Sequence, residues 1–194
     1  GGGRRAAFWA LLFGLATPLW PYSTMMWGHP LAAAALVGAL FHLVRNGKYD
    51  LFFCGFWCGA AVLTDYLALP AAAAFGLYLL LRSPKTVWKF IAGGIPILLL
   101  FAAYHAWCFG APFTPATMFN NPRFLEAGKA GGVLGSFSPL IALKLLFGSY
   151  RGLLAASPVL LAALPGFLCL QRRDRAAAWC AAGAFLAGVW INAG

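Results

Sequence analysis

Charge is missing from this chain in long blocks, which read as apolar stretches of membrane-spanning length. Short polar breaks separate them, and Lys and Arg collect in every second break. Arg4 and Arg5, then Arg45 and Lys48, then Arg82, Lys85 and Lys89, then Arg172, Arg173 and Arg175 mark the basic breaks, whereas residues 20–30 hold no Lys or Arg. Alternation of this kind is the positive-inside signature of a polytopic membrane protein.

Composition closes off the soluble alternative. Of the 194 residues, 62% are hydrophobic and 9% charged, where a soluble domain carries about 25% charged residues. The mean hydropathy of +0.81 leaves too little polar surface to face water. A net charge of +10 would suggest nucleic acid in a soluble protein. Here the cations cluster at the ends of apolar runs, where cytoplasmic retention and anionic lipid explain them. No basic stripe interleaved with aromatics indicates a nucleic-acid partner. The chain opens Gly1-Gly2-Gly3 and stops at Gly194 after an apolar run, so it reads as an internal fragment of a longer membrane protein.

The expected fold is an all-α transmembrane bundle of about seven crossings, with residues 1–194 forming one domain and the amino end cytoplasmic. Residues 6–20 cross first and end at an aromatic belt of Trp20, Tyr22 and Trp27. Residues 31–44 return. Residues 51–81 are too long for one span and basic on both flanks, so two short helices should turn near Thr64, Asp65 and Tyr66. Pro70 then falls in a first helical turn, where a missing N–H costs little. Residues 90–107 cross outward, 110–139 form an outward-facing loop, 140–147 are amphipathic, 153–170 return and 176–190 leave. Ten of the Lys and Arg then lie inside and four outside, namely Arg123, Lys129, Lys144 and Arg151.

Few residues in this pattern can carry chemistry. Asp65 is the one acid inside an apolar stretch, read as either a turn cap or a group facing an outward cavity. His29 closes the uncharged break, as an interfacial side chain or as a proton carrier or phosphate contact. His42 and His105 sit in apolar runs and read as packing partners. No His or carboxylate spacing supports a metal site, no cofactor is identified, and a divalent metal is left open. Cys54 and Cys58 overlap Gly55-x-x-x-Gly59, whose spacing favours close helix approach over redox chemistry. The loop offers Arg123 and Lys129, and Lys144, Tyr150 and Arg151 follow. Cations on the outer side suit either headgroup snorkelling or a lipid-linked phosphate, which a guanidinium binds in a bidentate fork.

Several short motifs carry a resemblance. Thr17-Pro18-Leu19-Trp20-Pro21-Tyr22-Ser23 with Gly28-His29-Pro30, and Ala60-Ala61-Val62-Leu63-Thr64-Asp65-Tyr66, resemble segments of bacterial GT-C-type membrane glycosyltransferases. Cys108-Phe109-Gly110-Ala111-Pro112-Phe113 and Tyr150-Arg151-Gly152-Leu153 through Ser157-Pro158 extend the likeness over most of the chain. The similar proteins are of the protein O-mannosyltransferase and aminoarabinose-transferase type. The resemblance implies a multi-pass protein of the bacterial cytoplasmic (inner) membrane that takes a sugar from a polyprenyl-phosphate carrier on the outer face. Its partners would be the lipid bilayer and the lipid-linked donor. In that family a catalytic acid lies in the first outward loop. Residues 20–30 contain no Asp or Glu, so the catalytic residue is unknown and the acid is expected outside the fragment. The alternative is a transporter, flippase-like or structural membrane protein without catalysis.

Overall fold

In the computed structural model of the chain, residues 2–25, 28–45, 47–114, 119, 136–150 and 152–193 are described, and they are all-α. Helices α1 (Gly2–Leu15) and α2 (Leu19–Ser23) precede α3 (His29–Arg45), α4 (Asp50–Thr64), α5 (Leu69–Arg82) and α6 (Val87–Phe109). Then come α7 (Pro139–Phe147), α8 (Leu153–Ala156), α9 (Ala163–Arg173) and α10 (Arg175–Asn192).

The expected division of residues 51–81 is present. Asp65 adopts an extended conformation (φ −149°, ψ 114°) that stops α4, and its side chain accepts from the Leu67 N–H to start a 3₁₀ turn, Tyr66–Ala68. Pro70 is the second residue of α5, where its missing N–H breaks no helical bond.

Helix α4 lies at the centre, packed between α3 and α6. Glycine makes both contacts close. A Cβ at Gly38 of α3 would press on the Trp57 ring. On the other side, a Cβ at Gly55 would overlap the Phe90 carbonyl oxygen, and one at Gly93 the Phe52 carbonyl oxygen. The Gly55-x-x-x-Gly59 spacing thus has its counterpart in α6, and the two backbones touch where small residues permit it. Helices α4 and α6 run parallel, since Gly55 meets Phe90, Gly59 meets Ile97, and Tyr66 meets Phe101 and His105. The core joins Ala39 and Leu43 of α3, Cys54 and Cys58 of α4, Phe75 and Leu79 of α5, and Cys180 of α10. All three cysteines are buried and unbridged.

The expected seven crossings are not supported. A perpendicular span needs about 20 residues to cross about 30 Å of hydrocarbon. Among the described residues one helix is long and apolar enough, Pro84–Phe109, which adds the turn Pro84–Thr86 to α6. Helices α3, α4 and α5 have 17, 15 and 14 residues, about 25, 22 and 21 Å at 1.5 Å per residue. Two further expected spans break at proline. Residues 6–20 divide at Thr17 and Pro18 into α1 and α2, with the Leu19 N–H donating to Thr17 Oγ1. Residues 153–170 divide at Ser157, held out of the helical region (φ −146°, ψ 74°) by Pro158, into α8, a 3₁₀ turn Pro158–Ala162 and α9.

The helices nevertheless sort polar groups to two ends. The turns α3–α4 and α5–α6, with the α9–α10 junction, bring Arg45, Lys48, Arg82, Lys85, Arg172, Arg173 and Arg175 to one end, tied by an Arg82 Nη1 to Asp174 Oδ1 contact of 3.2 Å. The start of α3, the α4–α5 turn and the end of α6 form the other.

Candidate functional site

At the end away from the cations, His29 Nδ1 lies 2.5 Å from Asp65 Oδ2. Each residue is placed by local sequence. His29 opens α3 behind Gly28, and a Cβ at Gly28 would clash with the Thr64 carbonyl oxygen at 2.7 Å. That glycine lets the start of α3 come against the end of α4, beside Asp65. Asp65 is oriented by its own turn: Oδ1 takes the Leu67 N–H at 3.0 Å, which leaves Oδ2 directed to the imidazole. The pair is reachable, with the His29 side chain 50% exposed and that of Asp65 17%.

The next residue makes a second link to α6. Tyr66 Oη lies 2.7 Å from His105 Nε2, and His105 Nδ1 lies 2.9 Å from the Phe101 carbonyl oxygen. A carbonyl only accepts, so Nδ1 carries the proton and Nε2 accepts from the tyrosine hydroxyl. His105 is 1% exposed and stacks on Phe101 with ring centroids 3.9 Å apart. It is a fully engaged side chain that holds Tyr66. Asp65 and Tyr66 are thereby clamped from opposite sides, by α3 and α6.

The same hairpin carries another His–Asp pair at the basic end. His42 Nδ1 lies 2.8 Å from Asp50 Oδ1, the Gly47 N–H donates to Asp50 Oδ2 at 2.5 Å, and Arg45 Nε stands 3.7 Å away. The side chains are only 17% and 6% exposed. The His42 hydrogen bond, helped by the Gly47 N–H and the Arg45 charge, holds the Asp50 carboxyl below its ordinary range despite the opposing effect of burial.

Of the residues singled out from the sequence, His29 and Asp65 are brought together. Lys144 is exposed on α7, whose amino end is fixed where the Ser138 N–H donates to the Ala193 carbonyl oxygen beyond α10. Tyr150 is exposed after α7, and neither residue touches the His29–Asp65 pair among the contacts described. Arg123, Lys129 and Arg151, with Trp27 of the expected aromatic belt, lie outside the described residues. Sequence reasoning missed both Asp50 and the Tyr66–His105 link, whose partners are 39 positions apart with no motif joining them. Among the described residues no group of three or more His, Cys, Asp or Glu could hold a metal ion.

No known protein family, curated protein or solved structure matches the chain. The site therefore has to be interpreted from its own chemistry.

Proposed function

We propose that this chain is the membrane-embedded part of a glycosyltransferase that takes a sugar from a polyprenyl-phosphate carrier, with His29 and Asp65 at the point where the acceptor hydroxyl loses its proton. The observation that carries this reading is the His29–Asp65 contact itself, exposed at the end of the helices opposite the cations. Two further features support it. Only 6% of the most apolar window of Pro84–Phe109 is buried, and this exposed apolar surface suits lipid. The first outward break has no acid of its own, yet Asp65 reaches it from the following turn and stands beside His29.

The chemistry is that of a general base with an orienting carboxylate. With Nδ1–H donating to Asp65 Oδ2, the lone pair sits on His29 Nε2. That nitrogen takes the proton of the acceptor hydroxyl as its oxygen bonds to the anomeric carbon. The bond from that carbon to the carrier phosphate breaks, and the phosphate leaves with the electron pair. Asp65 stabilises the imidazolium that forms. Lys144, and Arg151 and Tyr150 following α7 in sequence, are the groups assigned to the departing phosphate; Arg123 and Lys129 of the loop are the reserve cations.

The test is transfer from radiolabelled polyprenyl-phosphate mannose and polyprenyl-phosphate glucose in membranes from cells making the full protein. His29→Gln and Asp65→Asn should each lower transfer by about 10²–10⁴-fold, the usual worth of a positioned base, at unchanged protein level. Transfer at the parent rate in both variants would overturn the assignment.

A further inference from the structure

A groove runs between α5 and α10. Its volume is about 560 Å³, within the range of about 300–1,000 Å³ typical of small-molecule sites. Ala74, Leu77 and Leu81 form one wall, Trp179 and Gly183 the other, and the surface between them is almost wholly apolar. A Cβ added at Gly183 would meet no heavy atom within 4 Å, so the groove is open beside that residue. From Ala74 to Arg82 it follows two turns of α5, about 12 Å at 1.5 Å per residue.

One mouth is charged and the other is not. Arg82 lines the groove at its basic end, 54% exposed, with Nη1 on Asp174. Asp174 is already engaged by the N–H groups of Ala176 and Ala177 at the start of α10. Arg172, Arg173 and Arg175, adjacent to Asp174 in sequence, are exposed, so this end of the molecule carries more cationic than anionic side chains. An occupant with an apolar chain and an anionic head matches both parts, since guanidinium groups bind phosphate oxygens in a fork.

We infer that the α5–α10 groove binds the acyl chain of an anionic phospholipid whose phosphate rests on Arg82 at the basic mouth. This rests on the membrane placement proposed above and not on the transfer chemistry. The lipid is a resident one and not the sugar donor. Its phosphate is anchored where α5 ends, while Asp65 stands where α5 begins, about 21 Å away along 14 residues.

The experiment uses the full protein purified from membranes in a non-ionic detergent, with phosphatidylglycerol and phosphatidylcholine as probes and bound lipid counted by native mass spectrometry. Phosphatidylglycerol should be retained over phosphatidylcholine by roughly tenfold or more, the worth of a charge-assisted contact to phosphate. Gly183→Trp, which fills the groove, should lower its occupancy by a similar factor while the unfolding midpoint in lipid-free detergent stays at the parent value. Arg82→Gln should abolish the preference for the anionic lipid. A photo-crosslinking side chain at Leu77 should capture lipid in intact membranes. Equal retention of both lipids, undiminished binding by Gly183→Trp, or capture of a protein segment at Leu77 would each overturn the site. A protein that stays in carbonate-washed membranes yet fails these tests loses the lipid site and keeps its membrane placement. A protein washed out of the membrane loses both.

Discussion

The α3–α4 hairpin is closed at each end by a histidine–aspartate pair, and the two pairs differ in exposure and in the charge beside them. Asp50 is buried and the His42 side chain is 17% exposed, and a main-chain N–H and a nearby guanidinium surround the carboxylate. His29 and Asp65 meet at a similar distance, but the imidazole is half exposed and the carboxylate spends its other oxygen on its own turn. Burial separates the roles. A charge enclosed by donors holds the hairpin together, and a charge whose histidine reaches the surface can exchange a proton with something that arrives there.

That comparison is open to direct tests. Asp50→Ala should have the largest effect on folding. It strips the acceptor from His42 and from the Gly47 N–H in a buried setting, a loss of about 3–5 kcal/mol for a broken buried pair, measured by unfolding in mixed micelles. A loss under 1 kcal/mol would erase the structural role given to this pair. Asp65→Ala should cost less, about 0.5–2 kcal/mol, the range for a lost turn or helix cap, because solvent replaces its contact with His29. If it destabilises as much as Asp50→Ala, exposure is not what divides the two pairs.

Acid should act on the buried pair in one direction. The folded Asp50 carboxyl lies below its ordinary value of 3.8, so its contribution is complete above that value and is lost as the pH falls through the folded one. Stability of the parent should therefore fall more steeply below pH 3.8 than that of Asp50→Asn, measured as the unfolding midpoint against pH. Parallel curves would remove the linkage. The smallest effect belongs to Arg45→Gln. At 3.7 Å from Asp50 and with 62% of its side chain exposed, Arg45 should contribute about 0–1 kcal/mol.

Local rules explain what was legible. The break at Asp65 and the place of Pro70 follow from flanking charge and from proline geometry, and the expected 140–147 stretch is α7 within a residue. Gly55 and Gly59 announced a close helix contact, although their partner Gly93 had no signal before the two helices were set side by side. The crossings were over-counted because apolar length was equated with helix length. Pro18 and Pro158 divide runs that hydropathy joins, and α3 to α5 stop at polar turns before reaching the depth of a bilayer. The site was half visible. His29 and Asp65 each stood out as a polar residue among apolar ones, yet their pairing depends on Gly28 yielding to the Thr64 carbonyl. The role of His105 depends on Tyr66, and nothing in their separation hints at it.

The glycine contact between α4 and α6 has a consequence for how the protein is made. Helix α4 leans on a backbone that the ribosome has not yet delivered when Thr64 emerges. The forty-five residues from Thr64 to Phe109 take about 2–9 s at roughly 5–20 residues per second. For the first part of that interval, until Phe90 and Gly93 are made, the apolar face of α4 around Gly55 lacks its partner in α6, and the hairpin waits for the rest of that helix. The seam that holds Asp65 and Tyr66 in place is thus completed late, and a block at Gly93 would be felt first as a failure of assembly.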